Sequence, residues 1–186
     1  MEQKIKSIAV FCGARDGNSS HYRKLAFSLG QCLAEKNIKL VYGGGRVGLM
    51  GELAKGSLDH GGYVIGVIPD SLMALEVGLK ECQELHIVKT MHERKALMEA
   101  QADAFMAIPG GFGTLDEIFE IITWRQLQFH KKPIVFLNYH HYFDSLFEFC
   151  AKMKAEGFIS EKDWNAIEIY NDLNEWTEKW ANLNRL

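Results

Sequence analysis

The chain has 186 residues, and its mass of 21.1 kDa is enough for one domain with a sizeable core. Hydrophobic residues make up 47% and charged residues 24%, which excludes disordered, collagen-like and low-complexity classes. The formal net charge of −3 predicts neither a nucleic-acid partner nor an anionic membrane partner. We predict a single domain over residues 1–186.

Short apolar runs alternate with helically spaced segments along the chain. Strands are predicted at Ser7–Cys12, Ile38–Tyr42, Tyr63–Ile68, Leu85–Lys89, Ala104–Ile108 and Pro133–Leu137. Helices are predicted at His21–Lys36, Leu49–His60, Met91–Gln101, Thr114–Phe129, Tyr142–Glu156 and about Leu173–Leu183. Residues 69–84 and 157–172 are predicted to be irregular. This alternation predicts an α/β fold, in which helices cover both faces of a parallel sheet and ligands bind beyond the carboxyl ends of its strands.

Glycine-bearing loops follow three of the predicted strands, at Gly13–Gly17, Gly43–Gly51 and Gly110–Gly113. Glycine lets the backbone approach a ligand closely, and the helix that follows offers free N–H groups and the positive end of its dipole. Loops this rich in glycine favour phosphate binding over ordinary strand-to-helix turns. The candidates for phosphate contact are Gly13, Gly43, Gly44 and Gly45.

The second of these loops also fits the dinucleotide fingerprint GxGxxG at Gly43, Gly45 and Gly48. The fingerprint usually follows the first strand, however, and the nearest acid, Asp70, lies behind Pro69. A nicotinamide-dependent oxidoreductase is therefore a minor alternative. The chain contains no Walker A motif, which disfavours ATP hydrolysis of that type.

Charged residues stand at the start of two predicted helices. Thr114 and Glu117 fit a capping box, and Thr90 opens another helix in the same way. The helix opened by Thr90 carries Arg94 and Lys95 near its start, where cations interact unfavourably with the helix dipole. A bound anion therefore explains these two residues better than helix stability does. A carboxylate with a cation pair and phosphate loops indicates a phosphosugar or nucleotide substrate. One acid facing a sugar C1 is what glycosidic cleavage requires.

The remaining features concern compartment and assembly. The four cysteines form no CxxC pair, which indicates free thiols in a reducing compartment. No apolar stretch approaches the ~20 residues that span a bilayer, and no signal peptide is visible. We therefore predict a cytoplasmic protein with no membrane partner.

An apolar side on the Trp124 helix predicts a dimer interface if that side is exposed.

Several motifs together resemble the Lonely Guy (LOG) family. Residues 109–117 (PGGFGTLDE) resemble its PGGxGTxxE motif, residues 43–51 (GGGRVGLMG) its GGGxxGLMG motif, and residues 91–95 (MHERK) its MHxRK motif. Residues 66–69 (GVIP), 122–124 (ITW) and 157–159 (GFI) also fit. The resemblance runs from about Ile8 to Ile159, and the motifs are far more specific together than GxGxxG alone.

This resemblance implies a Rossmann-like, doubly wound sheet in three layers. It implies hydrolysis of the N-glycosidic bond of a nucleoside 5′-monophosphate, giving the free base and ribose 5-phosphate. Arg94 and Glu117 would be catalytic, with Glu117 stabilising the ribosyl cation or activating water and Arg94 orienting the substrate. The implied substrate-binding residues are Glu76, Lys95, Gly111, Phe112, Gly113, Thr114, Leu115, Asp116 and Thr123.

The resemblance implies no metal and no organic cofactor, and it implies a homodimer formed through the helices beside the site. AMP and an isoprenoid-modified AMP are both open as substrates. A non-catalytic nucleotide-binding protein is the main alternative, since it would keep the loops yet be indifferent to Glu117→Gln. An older label for this family is lysine decarboxylase. A pyridoxal phosphate enzyme of that kind needs a Schiff-base lysine and a partner for the pyridine nitrogen of the cofactor, whereas the Arg94-Lys95 pair fits phosphate binding better.

Overall fold

A computed structural model describes residues 4–76 and 81–183; the side chains of residues 74–76 lie outside that description. Its strands are β1 (Ser7–Phe11), β2 (Lys39–Tyr42), β3 (Val64–Pro69), β4 (Glu84–Val88), β5 (Ala104–Ala107), β6 (Ile134–Leu137) and β7 (Ile167–Tyr170). Its helices are α1 (Ser20–Glu35), α2 (Gly48–Asp59), α3 (Asp70–Glu76), α4 (Met91–Gln101), α5 (Phe112–Gln126), α6 (Asp144–Ala155), α7 (Glu161–Trp164) and α8 (Leu173–Asn182). No helix in these ranges is long and apolar enough to cross a membrane.

The seven strands form one sheet in the order β4-β3-β2-β1-β5-β6-β7, and every neighbouring pair is parallel. The chain builds outward from β1 in one direction as far as β4, and then crosses back to place β5 on the other side of β1. This is the doubly wound, Rossmann-like arrangement predicted from the sequence. Its topological switch point lies between β1 and β5, where such folds bind their ligands.

Two apolar cores cover the two faces of the sheet. Alternate residues of β1 show the division, because Ile8 and Val10 belong to one core whereas Ala9 and Phe11 belong to the other. Helices α1, α2 and α8 pack on the first face, and α4, α5 and α6 on the second. The architecture therefore has three layers, as predicted, and the apolar strands are explained by burial on both sides.

The two stretches predicted to be irregular contain regular structure. Helix α3 begins directly after β3, and residues 161–170 form α7 and the edge strand β7. Helix α6 begins at Asp144 rather than Tyr142, because residues 139–141 form a 3-10 turn in which His140 and His141 adopt left-handed backbone conformations. Helix α5 begins at Phe112, two residues before the predicted Thr114.

Candidate active site

A cavity of about 560 Å³ opens at the switch point of the sheet. Its walls are the loop that follows β1, the loop that follows β5, and the first turns of α4 and α5. The carboxyl ends of the parallel strands and the N-termini of the helices that follow them meet at this edge of the sheet. The first turns of these helices therefore place backbone N–H groups without intrahelical partners around the cavity. Its volume lies within the range of small-molecule sites.

A buried ion pair lies on the cavity wall. The Arg94 Nη2 atom is 3.2 Å from Glu117 Oε1, and the two residues are only 6% and 8% exposed. Burial, together with the charge of Glu117, raises the pKa of the neighbouring Cys12 thiol, which therefore stays protonated. A buried carboxylate needs a partner of this kind, since an isolated one would cost far more to desolvate.

Helix capping places Arg94 at the site. Thr90 is the N-cap of α4, and its hydroxyl accepts a hydrogen bond from the Glu93 N–H at 3.1 Å, as the sequence predicts. The sequence predicts that a bound anion balances the cation near the start of this helix. In the structure its anion is Glu117 of the same chain, and the Arg94 Nε atom is buried without a hydrogen-bond partner among the described residues.

Lys95 is held by acidic residues of α5. Its Nζ atom is 3.2 Å from Asp116 Oδ2 and 2.9 Å from Glu120 Oε2. Burial alone would lower the pKa of Lys95, but the hydrogen bonds to these two carboxylates outweigh it and leave the pKa raised. A Schiff-base lysine needs the opposite shift, so this environment disfavours the lysine decarboxylase alternative.

The loop after β5 and the first turn of α5 form the mouth of the cavity. Gly111 is the N-cap of α5 and supplies no side-chain cap, so the capping role expected of Thr114 is wrong. Thr114 lies inside the first turn and is 3% exposed, and its hydroxyl has no hydrogen-bond partner among the described residues. Phe112 is 94% exposed at the rim, next to the exposed Gly113.

The glycines of the second loop lie behind the pair rather than on the cavity wall. Gly43, Gly44 and Gly45 are all buried and do not line the cavity, whereas Leu49 and Met50 further along the same segment do. A β-carbon at Gly43 would overlap the guanidinium of Arg94 and lie 3.1 Å from its Cζ atom. Gly43 thus makes room for Arg94. Gly13, by contrast, does line the cavity, and its N–H donates to the Pro109 carbonyl at 3.1 Å.

The structure brings some of the predicted residues together and leaves others apart. Asp116 lines the cavity, whereas Leu115 packs against the core on the α5 face of the sheet. Thr123 is exposed further along α5, and its hydroxyl donates to the Phe119 carbonyl at 2.8 Å. The side chain of Glu76 lies outside the described residues.

Residues to which the sequence analysis gives no role in the site also line the cavity. Tyr22 comes from α1 and Tyr142 from the segment after β6, and their rings meet edge to face with centroids 5.7 Å apart. Arg15 lies on the loop after β1, and Met91 contacts Arg94 at 3.7 Å through its sulfur. The loop glycines point to Arg15, but nothing local in the sequence links either tyrosine to the site.

Fold and site together define a Rossmann-like α/β protein with a cavity suited to an anion at its switch point. The family profile described as "Possible lysine decarboxylase" matches residues 50–180. A cytokinin riboside 5′-monophosphate phosphoribohydrolase of Rhodococcoides fascians is 46% identical over 169 residues, which cover 90% of this chain and 85% of that protein. The phosphoribohydrolase LOG7 of Arabidopsis thaliana is 49% identical over 190 residues, covering 98% and 87%. The chain therefore belongs to this family, the LOG family that its motifs predict.

Solved structures with the same fold include two proteins named for the molybdenum cofactor. The molybdenum cofactor binding protein from the phototrophic bacterium Rippkaea orientalis matches with a TM-score of 0.73 at 21% identity, covering 98% of this chain and 99% of that one. The molybdenum cofactor carrier protein of Chlamydomonas reinhardtii matches with a TM-score of 0.69 at 20% identity, covering 97% and 98%. At these identities the likeness concerns the fold alone.

Proposed function

We propose that this protein hydrolyses the N-glycosidic bond of an adenine nucleoside 5′-monophosphate, either AMP or an N6-modified AMP. The products are the free base and ribose 5-phosphate. The observation that carries this proposal is the buried Arg94–Glu117 pair on the wall of a cavity that the N-terminus of α5 also lines. The names of the family relatives support the same reaction.

Glu117 is the group that meets the reacting carbon. Breaking the bond between C1′ and the base leaves positive charge on the ribose, as in an oxocarbenium ion. A carboxylate held in a site with little water stabilises that charge more strongly than it would in solvent. Water then adds to C1′; its hydroxyl stays on the ribose and its proton ends on the departing base. Arg94 balances the charge of Glu117 and holds the carboxylate in place.

The phosphate binds at the N-terminus of α5. The first N–H groups of this helix have no intrahelical partner, and its dipole favours an anion. The buried Thr114 hydroxyl, which has no partner among the described residues, supplies a further donor in the same turn. These donors make the loop of residues 109–113 the proposed phosphate cradle, with Gly111 and Gly113 at its rim.

Arg15 supplies the countercharge for the phosphate. In the adjacent cluster two cations lie opposite three carboxylates: Arg94 and Lys95 opposite Glu117, Asp116 and Glu120. The cluster therefore has a net negative charge and offers no unpaired cation to a phosphate. Arg15 is exposed on the cavity wall and forms no ion pair with any described residue. Its guanidinium is therefore the cation best placed to pair with an entering phosphate dianion.

The base lies towards the apolar rim formed by Phe112 and Met91. Both side chains are exposed at the cavity, and an aromatic ring there can stack on adenine or contact an N6 substituent. AMP and an isoprenoid-modified AMP are both substrates that this rim can accept.

The assembly we propose is a homodimer in the cytoplasm. Helix α5 and the turn after it leave Trp124 partly buried and Leu127 and Phe129 exposed, and Phe112 is exposed at the opposite end of the helix. A second copy of the chain that covers these residues would remove apolar surface from water. The four cysteines are all free thiols, which suits a reducing compartment.

Product analysis tests the proposed reaction. Purified protein is incubated with AMP and, separately, with N6-isopentenyl-AMP, and the products are separated by liquid chromatography. The proposal predicts base and ribose 5-phosphate in equal amounts from at least one substrate. Nucleoside plus inorganic phosphate would identify a phosphatase instead. Binding of AMP without any product would favour the non-catalytic nucleotide-binding alternative.

A further inference from the structure

Three consecutive carbonyl groups in the loop after β5 are hydrogen-bonded to the protein. The Pro109 and Gly111 carbonyls accept backbone N–H groups at 3.1 and 3.2 Å. Between them, the Gly110 carbonyl accepts the hydroxyl of Tyr142 at 2.6 Å. Of these three hydrogen bonds, only the one from Tyr142 comes from a side chain.

The donors of the same loop are left for a ligand. The N–H groups of Phe112, Gly113 and Thr114 have no intrahelical partner, because they belong to the first turn of α5. The Gly111 N–H makes no backbone hydrogen bond within the described part of the chain. In a trans peptide the N–H points away from the preceding carbonyl, so the bond that fixes the Gly110 carbonyl also fixes the direction of the Gly111 N–H.

This peptide needs an external restraint because it joins two glycines, whose backbones rotate freely. Gly110 cannot carry a side chain, since a β-carbon there would overlap the Thr114 hydroxyl and lie 2.8 Å from the Gly13 nitrogen. At Gly111 a β-carbon would meet nothing within 4 Å, so packing does not restrain that residue either. The hydroxyl of Tyr142 is therefore the contact that sets the orientation of this peptide.

Tyr142 is held in position by a strained turn. His140 and His141 have φ angles of 52° and 59°, a left-handed conformation that is unfavourable for a residue with a side chain. Asn138 stabilises the turn, because its side-chain oxygen accepts the Phe143 N–H at 2.8 Å and its backbone carbonyl accepts the His141 N–H at 3.0 Å. Strain retained beside a cavity commonly serves a functional geometry.

We propose that Tyr142 is a positioning residue for the substrate phosphate. Its hydroxyl holds the Gly110–Gly111 peptide so that the loop presents N–H groups, and no free carbonyl, to the anion. Without that hydroxyl, the Gly110 carbonyl lone pairs are free to face the phosphate oxygens, and the peptide is free to flip. This inference rests on the proposed function, which supplies the identity of the anion.

The test compares Tyr142→Phe with Tyr139→Phe as the matched control. Both variants lose one hydroxyl in the same turn, and the hydroxyl of Tyr139 makes no hydrogen bond within the described residues. Calorimetric titration, with each variant placed in the Glu117→Gln background so that the nucleotide is not consumed, gives the dissociation constants of AMP and of adenosine, which lacks the phosphate. Steady-state assays with the nucleotide give KM and kcat separately.

We expect Tyr142→Phe to bind AMP about tenfold more weakly while adenosine affinity stays within about twofold, since one charge-assisted hydrogen bond is disturbed. KM should rise by a similar factor with kcat nearly unchanged, which is the pattern for lost uniform binding. Tyr139→Phe should match the wild type. Unchanged AMP affinity in Tyr142→Phe, or an equal loss for AMP and adenosine, would overturn the inference. If the wild type binds AMP but does not hydrolyse it, the proposed function fails while the binding comparison still decides the role of Tyr142.

Discussion

Replacing Gly43, which does not itself line the cavity, with alanine is expected to disable the site. The new β-carbon overlaps the Arg94 guanidinium, and an ordinary van der Waals contact begins only at 3.4 Å. Restoring that separation moves the guanidinium by more than about 1 Å, and a misplacement of this size can lower turnover by about 100-fold. We therefore expect kcat of Gly43→Ala to fall by about two orders of magnitude, because the 3.2 Å pair between Arg94 and Glu117 is broken or shifted.

The assay for this prediction is a double-mutant cycle. Release of base from the nucleotide is measured for Gly43→Ala, Arg94→Ala and the double variant, and circular dichroism checks that each protein is folded. If Gly43 acts only by making room for Arg94, its replacement adds little in the Arg94→Ala background. The reasoning is refuted if Gly43→Ala keeps kcat within about threefold of the wild type. It is refuted equally if the alanine costs as much in the absence of Arg94 as in its presence.

Two further predictions concern the phosphate and the pH dependence of stability. Arg15→Ala should raise KM for the nucleotide about tenfold, with little effect on adenosine binding, because it removes the proposed countercharge. Arg46→Ala, which removes an exposed arginine that does not line the cavity, is the control, and equal kinetics for the two variants would contradict the assignment. Burial lowers the pKa of His130, so the unfolded chain binds the proton more readily and stability should fall as the pH drops below the ordinary value of 6.5. Unfolding in urea at several pH values should show that His130→Gln flattens this dependence; a slope that persists in His130→Gln would count against the prediction.

The sequence predicts the fold best where local patterns and tertiary packing agree. Helix α4 has the predicted bounds because the Thr90 cap sets its start. The sequence analysis does not identify the edge strand β7, although the apolar–polar alternation around Glu168 in its four residues is typical of a half-buried strand. In the fold, that carboxylate accepts the Tyr170 hydroxyl at 2.7 Å and the Trp180 indole N–H at 2.9 Å. Those partners depend on tertiary structure, and no local pattern reveals them.

Predicting the site from the sequence was limited in the same way. The motifs identify Arg94 and Glu117, and the sheet brings them together. Glycine content alone, however, does not distinguish a glycine that meets a ligand from one that makes room for a side chain, so Gly43 was assigned to phosphate contact. Tyr142 lies 32 residues from the Gly110 carbonyl that it contacts, and only the strand order brings the two together.

The measurement that tests the central claim most directly compares the wild type with Glu117→Gln on the same nucleotide. AMP and N6-isopentenyl-AMP are each incubated with both proteins, chromatography quantifies base and ribose 5-phosphate, and calorimetry measures nucleotide binding. We predict that the wild type releases base and ribose 5-phosphate in equal amounts from at least one substrate. Glu117→Gln should still bind that nucleotide but release at most about 1% as much base, since it lacks the carboxylate that stabilises the ribosyl cation. Base release by Glu117→Gln at the wild-type rate would contradict the role given to this residue.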